Sequence, residues 1–270
     1  MGNADNQPDW AAIAEKFDLW LPQIAPVGEV LLEGLAAQPG DRIIDLGSGT
    51  GEPALTLARR MQGRVDITGV DSAAPMVAVA QRKVEAEGLA NIRFLHMPAE
   101  QLDFADDSFD RAMSRFGVML FDDPLQGLRE IRRVLKPGGH FAIAVWSTPE
   151  TMPTLLWSHQ VFSKRIPEDA APPLHKVTSL GRPGVLDEML GQAGFDDFQI
   201  EPHTFHYQFD SFDAYWDVVE ASDILKQQYD ALPADQHAAI REEIAVLADI
   251  HQGDDGLVIP HEFLLARGVK

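Results

Sequence analysis

Cysteine is absent from all 270 residues. That excludes disulfides, thiolate metal sites and every cysteine-nucleophile mechanism. Positive charge is scarce, because 22 Lys and Arg stand against 42 Asp and Glu and give a formal charge of −20. With a pI near 4.7, such a surface opposes the phosphate backbone of nucleic acid and anionic membranes unless a local basic patch intervenes. Arg129, Arg132, Arg133 and Lys136 do cluster. They fall at the C-terminal end of an expected helix, where cations complement the dipole, and this is the reading of a solvated face. Long apolar runs are also missing, since none approaches the ~18 residues of a membrane helix, and Met1 to Gln7 is polar with no h-region. No internal repeat or low-complexity tract is present. The expectation is a cytoplasmic protein with a small-molecule substrate, no nucleic-acid partner, no membrane association and no metal.

What the chain does have is a glycine turn behind a strand. The strand-like run Arg42, Ile43 and Ile44 leads into Asp45-Leu-Gly-Ser-Gly-Thr-Gly51, where Gly47, Gly49 and Gly51 alternate with single residues. Glycine suits a tight turn whose bare backbone lets a ligand approach, which a Cβ would obstruct. A helix is expected from Pro53, a favoured first helical residue. About twenty residues past Gly51, a second apolar run from Val65 to Val70 ends in Asp71, where strand-two acids hold ribose hydroxyls. Asp71 and Ser72 are also good helix caps, so the register with the glycines favours the ribose role. The spacing argues against a dinucleotide: the third glycine of G-x-G-x-x-G would fall at Glu52, and a carboxylate at a helix N-terminus repels a pyrophosphate. A phosphate-free adenosine ligand with a positive centre fits better.

These residues resemble the class I S-adenosylmethionine (SAM) dependent methyltransferases, whose first motif commonly reads E/D-x-G-x-G-x-G. The resemblance, closest to the small-molecule, type 11-like branch, covers roughly the first half of the chain. It extends through Ala99-Glu100, Leu102, Phe104 and Asp107-Ser-Phe-Asp110, then Ser114-Arg-Phe-Gly-Val-Met-Leu-Phe121, and the string Leu135-Lys-Pro-Gly-Gly139. It implies SAM as cofactor, released as S-adenosylhomocysteine (SAH), with contacts from Asp45, Gly47, Ser48, Gly49, Gly51, Asp71, Ser72, Met76, Ala99, Glu100, Ser114, Arg115 and Phe116. One departure is Pro98, where the family often has an acid that helps hold the adenine, so adenine recognition is expected to lean on backbone near Ala99. Glu100 also reads as a solvated loop acid, and Ser114, Arg115 and Phe116 also read as a plain strand end.

Strand and helix patterns alternate over 42–46, 53–62, 65–70, 74–87, 91–96, 109–114, 123–135 and 140–146. The fold expected is α/β: a doubly wound, mostly parallel, Rossmann-like sheet with helices on both faces. The resemblance implies seven strands in the order 3-2-1-4-5-7-6, the seventh antiparallel. The segments expected are N-terminal helices over 1–40, a SAM-binding core over 41–146, a proline-rich insert or lid over 147–183, and core again over 184–210. A helical cap over 211–252 and a last strand over 253–270 complete the chain. Trp10, Phe17 and Trp20 read as core on one helical face, with a cover over the cofactor pocket as the alternative.

A sulfonium-bound methyl is already activated, so the protein mainly aligns donor and acceptor in a dry pocket, and a base is optional. His159, His175, His203 and His206 are the histidines best placed for that task, and the sequence singles out none of them. The reading is a methyltransferase acting on O, N or C of a small, largely apolar metabolite. The alternatives are a methyltransferase acting on protein or nucleic acid, a non-catalytic SAM-binding protein and, disfavoured by Glu52, a nicotinamide-dependent oxidoreductase. The Asp/Asn-Pro-Pro-aromatic motif of adenine N6 and glutamine amide methylation is missing after the fourth strand, its place taken by Ser114-Arg-Phe-Gly117.

Overall fold

In a computed structural model, residues 10–165, 177–222, 229–230 and 232–270 are described. Strands buried on both faces read as near-continuous apolar runs, and three segments fit that rule. Ile43 and Ile44, Ala112 and Met113, and Phe141 to Val145 have no exposed surface. They form the centres of β1 (Arg42–Leu46), β4 (Phe109–Arg115) and β5 (Leu135–Trp146). Flanking them are β2 (Asp66–Asp71) and β3 (Ile92–His96), and the far side of the sheet holds β6 (Asp197–Phe209), the two-residue β7 (Gln252–Gly253) and β8 (Gly256–Val269). The order is β3-β2-β1-β4-β5-β8-β6, with β7 paired to β8 alone. Seven long strands therefore follow the expected order, and the short β7 makes the sheet eight-stranded. The pairings through β5 are parallel and those of β8 antiparallel.

The helices are α1 (Trp10–Ile13), α2 (Leu21–Leu35), α3 (Ala54–Met61), α4 (Ala74–Glu87), α5 (Pro124–Val134), α6 (Pro153–Phe162), α7 (Val185–Gln192), α8 (Phe212–Ser222) and α9 (Ala234–Ala248). Val27, Leu31 and Leu35 of α2 are fully buried where that helix packs on β4, β5, β6 and β8. Gln23 at its start clamps the outer strand, its amide donating to the Gln208 carbonyl at 2.9 Å and accepting from the Gln208 N–H at 2.7 Å. That satisfies an edge that would otherwise invite a further strand. Among the described residues no helix is long and apolar enough to cross a membrane.

Several boundaries differ from the sequence pattern. Helix α3 begins at Ala54, with Pro53 as its cap. Strand β5 begins at Leu135, and pairing jumps from Phe109–Leu135 to Arg111–His140, so Lys136 to Gly139 bulge out. The terminal residue ties this bulge down: Gly138 donates to the Lys270 carbonyl and the Lys270 N–H to that of Gly139, both at 2.9 Å. More consequential is β6, which runs from Asp197 to Phe209. Its partner on β8 at the level of Trp146, the last residue of β5, is His203 through Phe263. The pairs from Thr204–Glu262 to Phe209–Leu257 thus project past the sheet's C-terminal edge as a two-stranded wall.

Candidate active site

Beyond the C-terminal edge of the sheet lies a cavity of about 410 Å³, within the ~300–1,000 Å³ range of small-molecule sites. Its floor is the turn after β1. Gly47 and Gly49 take φ of +66° and +53°, in the left-handed region that favours glycine. The reasons for the two glycines differ. A Cβ on Gly47 would come within 2.9 Å of the Gly117 Cα, whereas one on Gly49 would meet nothing within 4 Å. Gly51, at φ +105°, does not line the cavity, because it faces Leu55 and Phe94 and lets α3 close on the sheet. Glu52 holds the mouth of α3, its Oε2 accepting from the Thr56 N–H at 3.0 Å and its Oε1 pairing with Arg59 at 2.8 Å. The helix N-terminus is therefore already met by a carboxylate, as the argument against a pyrophosphate requires.

Asp71 ends β2 and reaches across to that turn. Its Oδ2 accepts from the Gly49 N–H and its Oδ1 from the Ala73 N–H, both at 2.8 Å. The carboxylate therefore ties the glycine turn to the start of α4 and still keeps lone pairs for a ligand. Burial raises its pKa from the usual carboxylate value, against the lowering by those two amides. Deeper in, Asp45 is 1% exposed, and neither of its oxygens, nor the buried Ser48 Oγ, has a hydrogen-bond partner. Burial pushes the Asp45 carboxyl well above its ordinary range, partly offset by the charge of Arg115. The Arg115 guanidinium is itself lowered to about 10 by burial and so keeps its charge at neutral pH. It donates only to carbonyls, those of Glu52 at 2.8 Å and Ile24 at 3.3 Å.

Ten of the thirteen residues singled out from the sequence line this cavity: Gly47, Ser48, Gly49, Asp71, Ser72, Met76, Ala99, Glu100, Arg115 and Phe116. Asp45 and Gly51 lie just behind it. Ser114 does not reach it, because its hydroxyl, fully buried, donates to the Leu46 carbonyl at 2.7 Å and ties β4 to β1. Glu100 lines the cavity with its carboxylate committed to the loop after β4, accepting from the Asp122 N–H at 2.8 Å.

The other half of the cavity is aromatic. Phe116 and Trp146 stack at 3.8 Å and 17°, and Tyr207 on the projecting wall lies 5.7 Å from Trp20. Trp10, Phe17 and Trp20 all line the cavity, so the cover outweighs the core for this segment. Ile13 and Ala14 anchor it on Met76 and Val79 as a small cluster of their own. A polar latch joins it to the glycine turn: the Thr50 hydroxyl donates to Asp18 at 2.7 Å, and Lys83 pairs with Asp18 at 2.6 Å. From the proline-rich insert, Met152, Thr154, Leu155 and Ser158 line the cavity, and no residue of α8 or α9 does. Those two helices buttress α6 from behind, as in the edge-to-face contact of Trp157 with Tyr215 at 6.2 Å.

No histidine lines the cavity among the described residues. His159 and His203 are half-buried elsewhere, His206 is exposed on the outer face of β6, and His175 lies outside the described residues. His261, which the sequence pattern does not single out, contacts the cavity wall through the lining residue Thr154. His261 is 1% exposed, stacked on Tyr207 at 4.1 Å and 2.8 Å from the Thr154 hydroxyl. Its signal was a polar residue in the inward column Leu257, Ile259, His261, Phe263, Leu265 of a period-two strand.

A model of the ubiE/COQ5 methyltransferase family matches residues 29–170 of this chain. The chain belongs to that family. As a ubiE/COQ5-family protein it is a SAM-dependent methyltransferase, and its relatives are named for quinone chemistry. The ubiquinone/menaquinone biosynthesis C-methyltransferase of Geotalea daltonii is 37% identical over 168 residues, covering 57% of this chain and 72% of that protein. The demethylmenaquinone methyltransferase of Thermus thermophilus is 44% identical over 108 residues, covering 40% of this chain and 48% of that protein. Among solved structures, the YcgJ protein of Bacillus subtilis superposes with a TM-score of 0.62 at 23% identity over 91% of this chain and 98% of that one. That likeness concerns the fold.

Proposed function

We propose that this methyltransferase transfers the methyl group of SAM to a small, largely apolar, ring-bearing acceptor, in the manner suggested by the quinone-directed names of its relatives. The observation that carries the reading is a cavity with an aromatic chamber on one side and, behind the glycine turn on the other, the unpartnered buried carboxylate of Asp45. The residues fit the cofactor. Gly49 leaves open space where a side chain would stand, Asp71 retains lone pairs for ribose hydroxyls, and Met76 and Ala99 offer apolar surface to a purine. Asp45 and Arg115 carry the charges that complement the ammonium and carboxylate of an amino-acid head. When bound, SAM supplies a methyl group already activated on a sulfonium sulfur. The chain's own task is then alignment and exclusion of water. Phe116, Trp146, Trp20 and Tyr207 present flat apolar faces that orient a ring, and α6 with the 10–20 segment closes the chamber. The experiment that tests the reading is isothermal titration with SAM, SAH and NAD, followed by mass spectrometry of a quinol and phenol panel incubated with SAM. Binding of NAD with none of SAM would end it.

Asp71→Ala should lower SAM affinity about ten- to a hundredfold, the effect of losing a charged hydrogen-bond partner worth ~1.5–3 kcal/mol. Because the same carboxylate bridges Gly49 and Ala73, the ligand-free protein should also melt earlier. Asp71→Asn, which keeps one acceptor oxygen, should recover part of both losses. An Asp71→Ala protein with unchanged SAM affinity would remove Asp71 from the cofactor site.

We also assign the roof of the site to the described part of the 147–183 insert around Met152 to Ser158, with α8 and α9 as its buttress. Hydrogen exchange should slow in 152–158 when SAH and an acceptor are bound and change less in 234–248. Indifference of 152–158 to both ligands would rule the roof out.

A further inference from the structure

The buried imidazole of His261 calls for an explanation, since a buried polar group costs stability unless it is hydrogen-bonded. Thr154 sits in the first turn of α6 and lines the cavity among Met152 and Leu155. Its Oγ1 lies 2.8 Å from the His261 Nε2. On the opposite side of that ring, Nδ1 lies 3.2 Å from the Ile259 carbonyl, which can only accept. Nδ1 therefore carries the ring proton, and Nε2 is left as an acceptor. Burial drives the His261 pKa down to about 4, which keeps the imidazole neutral and the tautomer fixed. Stacking against Tyr207 at 4.1 Å and 26° fixes the plane of the ring.

The consequence for Thr154 is a matter of counting protons. A threonine hydroxyl has one, and here it is donated to Nε2. Towards any other group that reaches it, the oxygen is then an acceptor with no proton to give. We propose that Thr154, held in this orientation by His261, selects acceptor substrates that carry a hydroxyl group and sets the position of their ring in the chamber. The inference rests on the small-acceptor reading above and adds the group by which the acceptor is recognised. Thr154 is a hydrogen-bond partner and not the base: a phenol titrates near about 10, far above His261, so the proton stays on the substrate oxygen in the bound state. His261 is a positioning residue that acts through Thr154. A site built to accept a hydrogen bond rejects the analogue lacking the donor, because the acceptor is then left unpaired.

The test uses the full chain saturated with SAH and two probes of one ring system, 2-naphthol and 2-methoxynaphthalene, titrated calorimetrically. The wild type should prefer 2-naphthol by about tenfold. Thr154→Val, which keeps the shape, should bring the two affinities together, and Thr154→Ser should keep the preference. His261→Leu frees the Thr154 proton to turn into the cavity, so the preference should fall or reverse towards the methoxy compound with SAH affinity unchanged. A merely structural histidine would lower both affinities alike. Should His261→Leu not fold, the Thr154 pair decides alone. Equal affinity, or no affinity, of the SAH-bound wild type for both probes overturns the inference, as does a Thr154→Val protein that keeps the preference. Failure of the wild type to bind SAH overturns instead the reading on which it rests.

Discussion

Gly49→Val is expected to lower SAM affinity by at least about a hundredfold, on the order of 2.7 kcal/mol, in a protein that still folds. Two features of Gly49 combine to give that outcome. Its backbone sits at φ +53°, a conformation that costs an L-residue about 1–2 kcal/mol and a β-branched one more. A Cβ built there meets no protein atom within 4 Å, so the added side chain would occupy cavity space and not the core. Gly47 and Gly51 provide the contrast within the same turn. A Cβ on Gly47 approaches the Gly117 Cα to 2.9 Å, and one on Gly51 approaches Leu55 to 2.8 Å and Phe94 to 3.0 Å. Valine at either should depress the melting temperature strongly, whereas valine at Gly49 should depress it by the backbone term alone. Calorimetric titration with SAM and thermal melts of the three variants separate the two effects. Wild-type SAM affinity in Gly49→Val would remove the glycine turn from the cofactor site.

The contrast among these glycines also marks how far sequence carries. The glycine-turn half of the cavity was legible because it is local: strand, glycine turn and strand-two acid lie within thirty or so residues and each has its own spacing rule. The aromatic half is assembled from Trp20, Phe116, Trp146, Thr154 and Tyr207, which only the tertiary fold brings together. Part of that was nonetheless written in the chain. Inward Phe205, Tyr207 and Phe209 alternate with outward Thr204, His206 and Gln208, a period-two pattern that continues β6 past the sheet edge. Gly268 lies inside β8, where a Cβ would come within 2.3 Å of the Asp197 carbonyl of the paired strand. Ser114 shows the opposite failure. Motif resemblance placed it at the cofactor, and its hydroxyl is spent inside the sheet on Leu46.

Asp45→Asn is expected to move stability and binding in opposite directions. Asp45 is buried with both oxygens unpartnered, and burial is the largest cause of its raised pKa, opposed by Arg115 and reinforced by Asp71 and Glu52. A carboxyl whose folded pKa lies above its unfolded value of 3.8 contributes stability that is fully present below that value. This contribution is lost as pH rises through the folded pKa. Above the ordinary carboxylate range the buried carboxyl is thus a cost to the ligand-free fold. Removing the charge should raise the melting temperature by about 2–4 °C, the shift that ~1 kcal/mol produces in a domain of this size. The gain should shrink towards zero below pH 4. For a ligand carrying an ammonium group the same charge is an asset, because the cation supplies the partner the carboxylate lacks. Asp45→Asn should therefore weaken SAM and SAH alike by about ten- to a hundredfold. Wild-type affinity should rise with pH above the ordinary carboxylate range as Asp45 gives up its proton, and in Asp45→Asn that dependence should disappear. A variant that is more stable and binds SAH as tightly as the wild type, with the same pH profile, would show that the buried carboxylate serves something other than the cofactor's amino group.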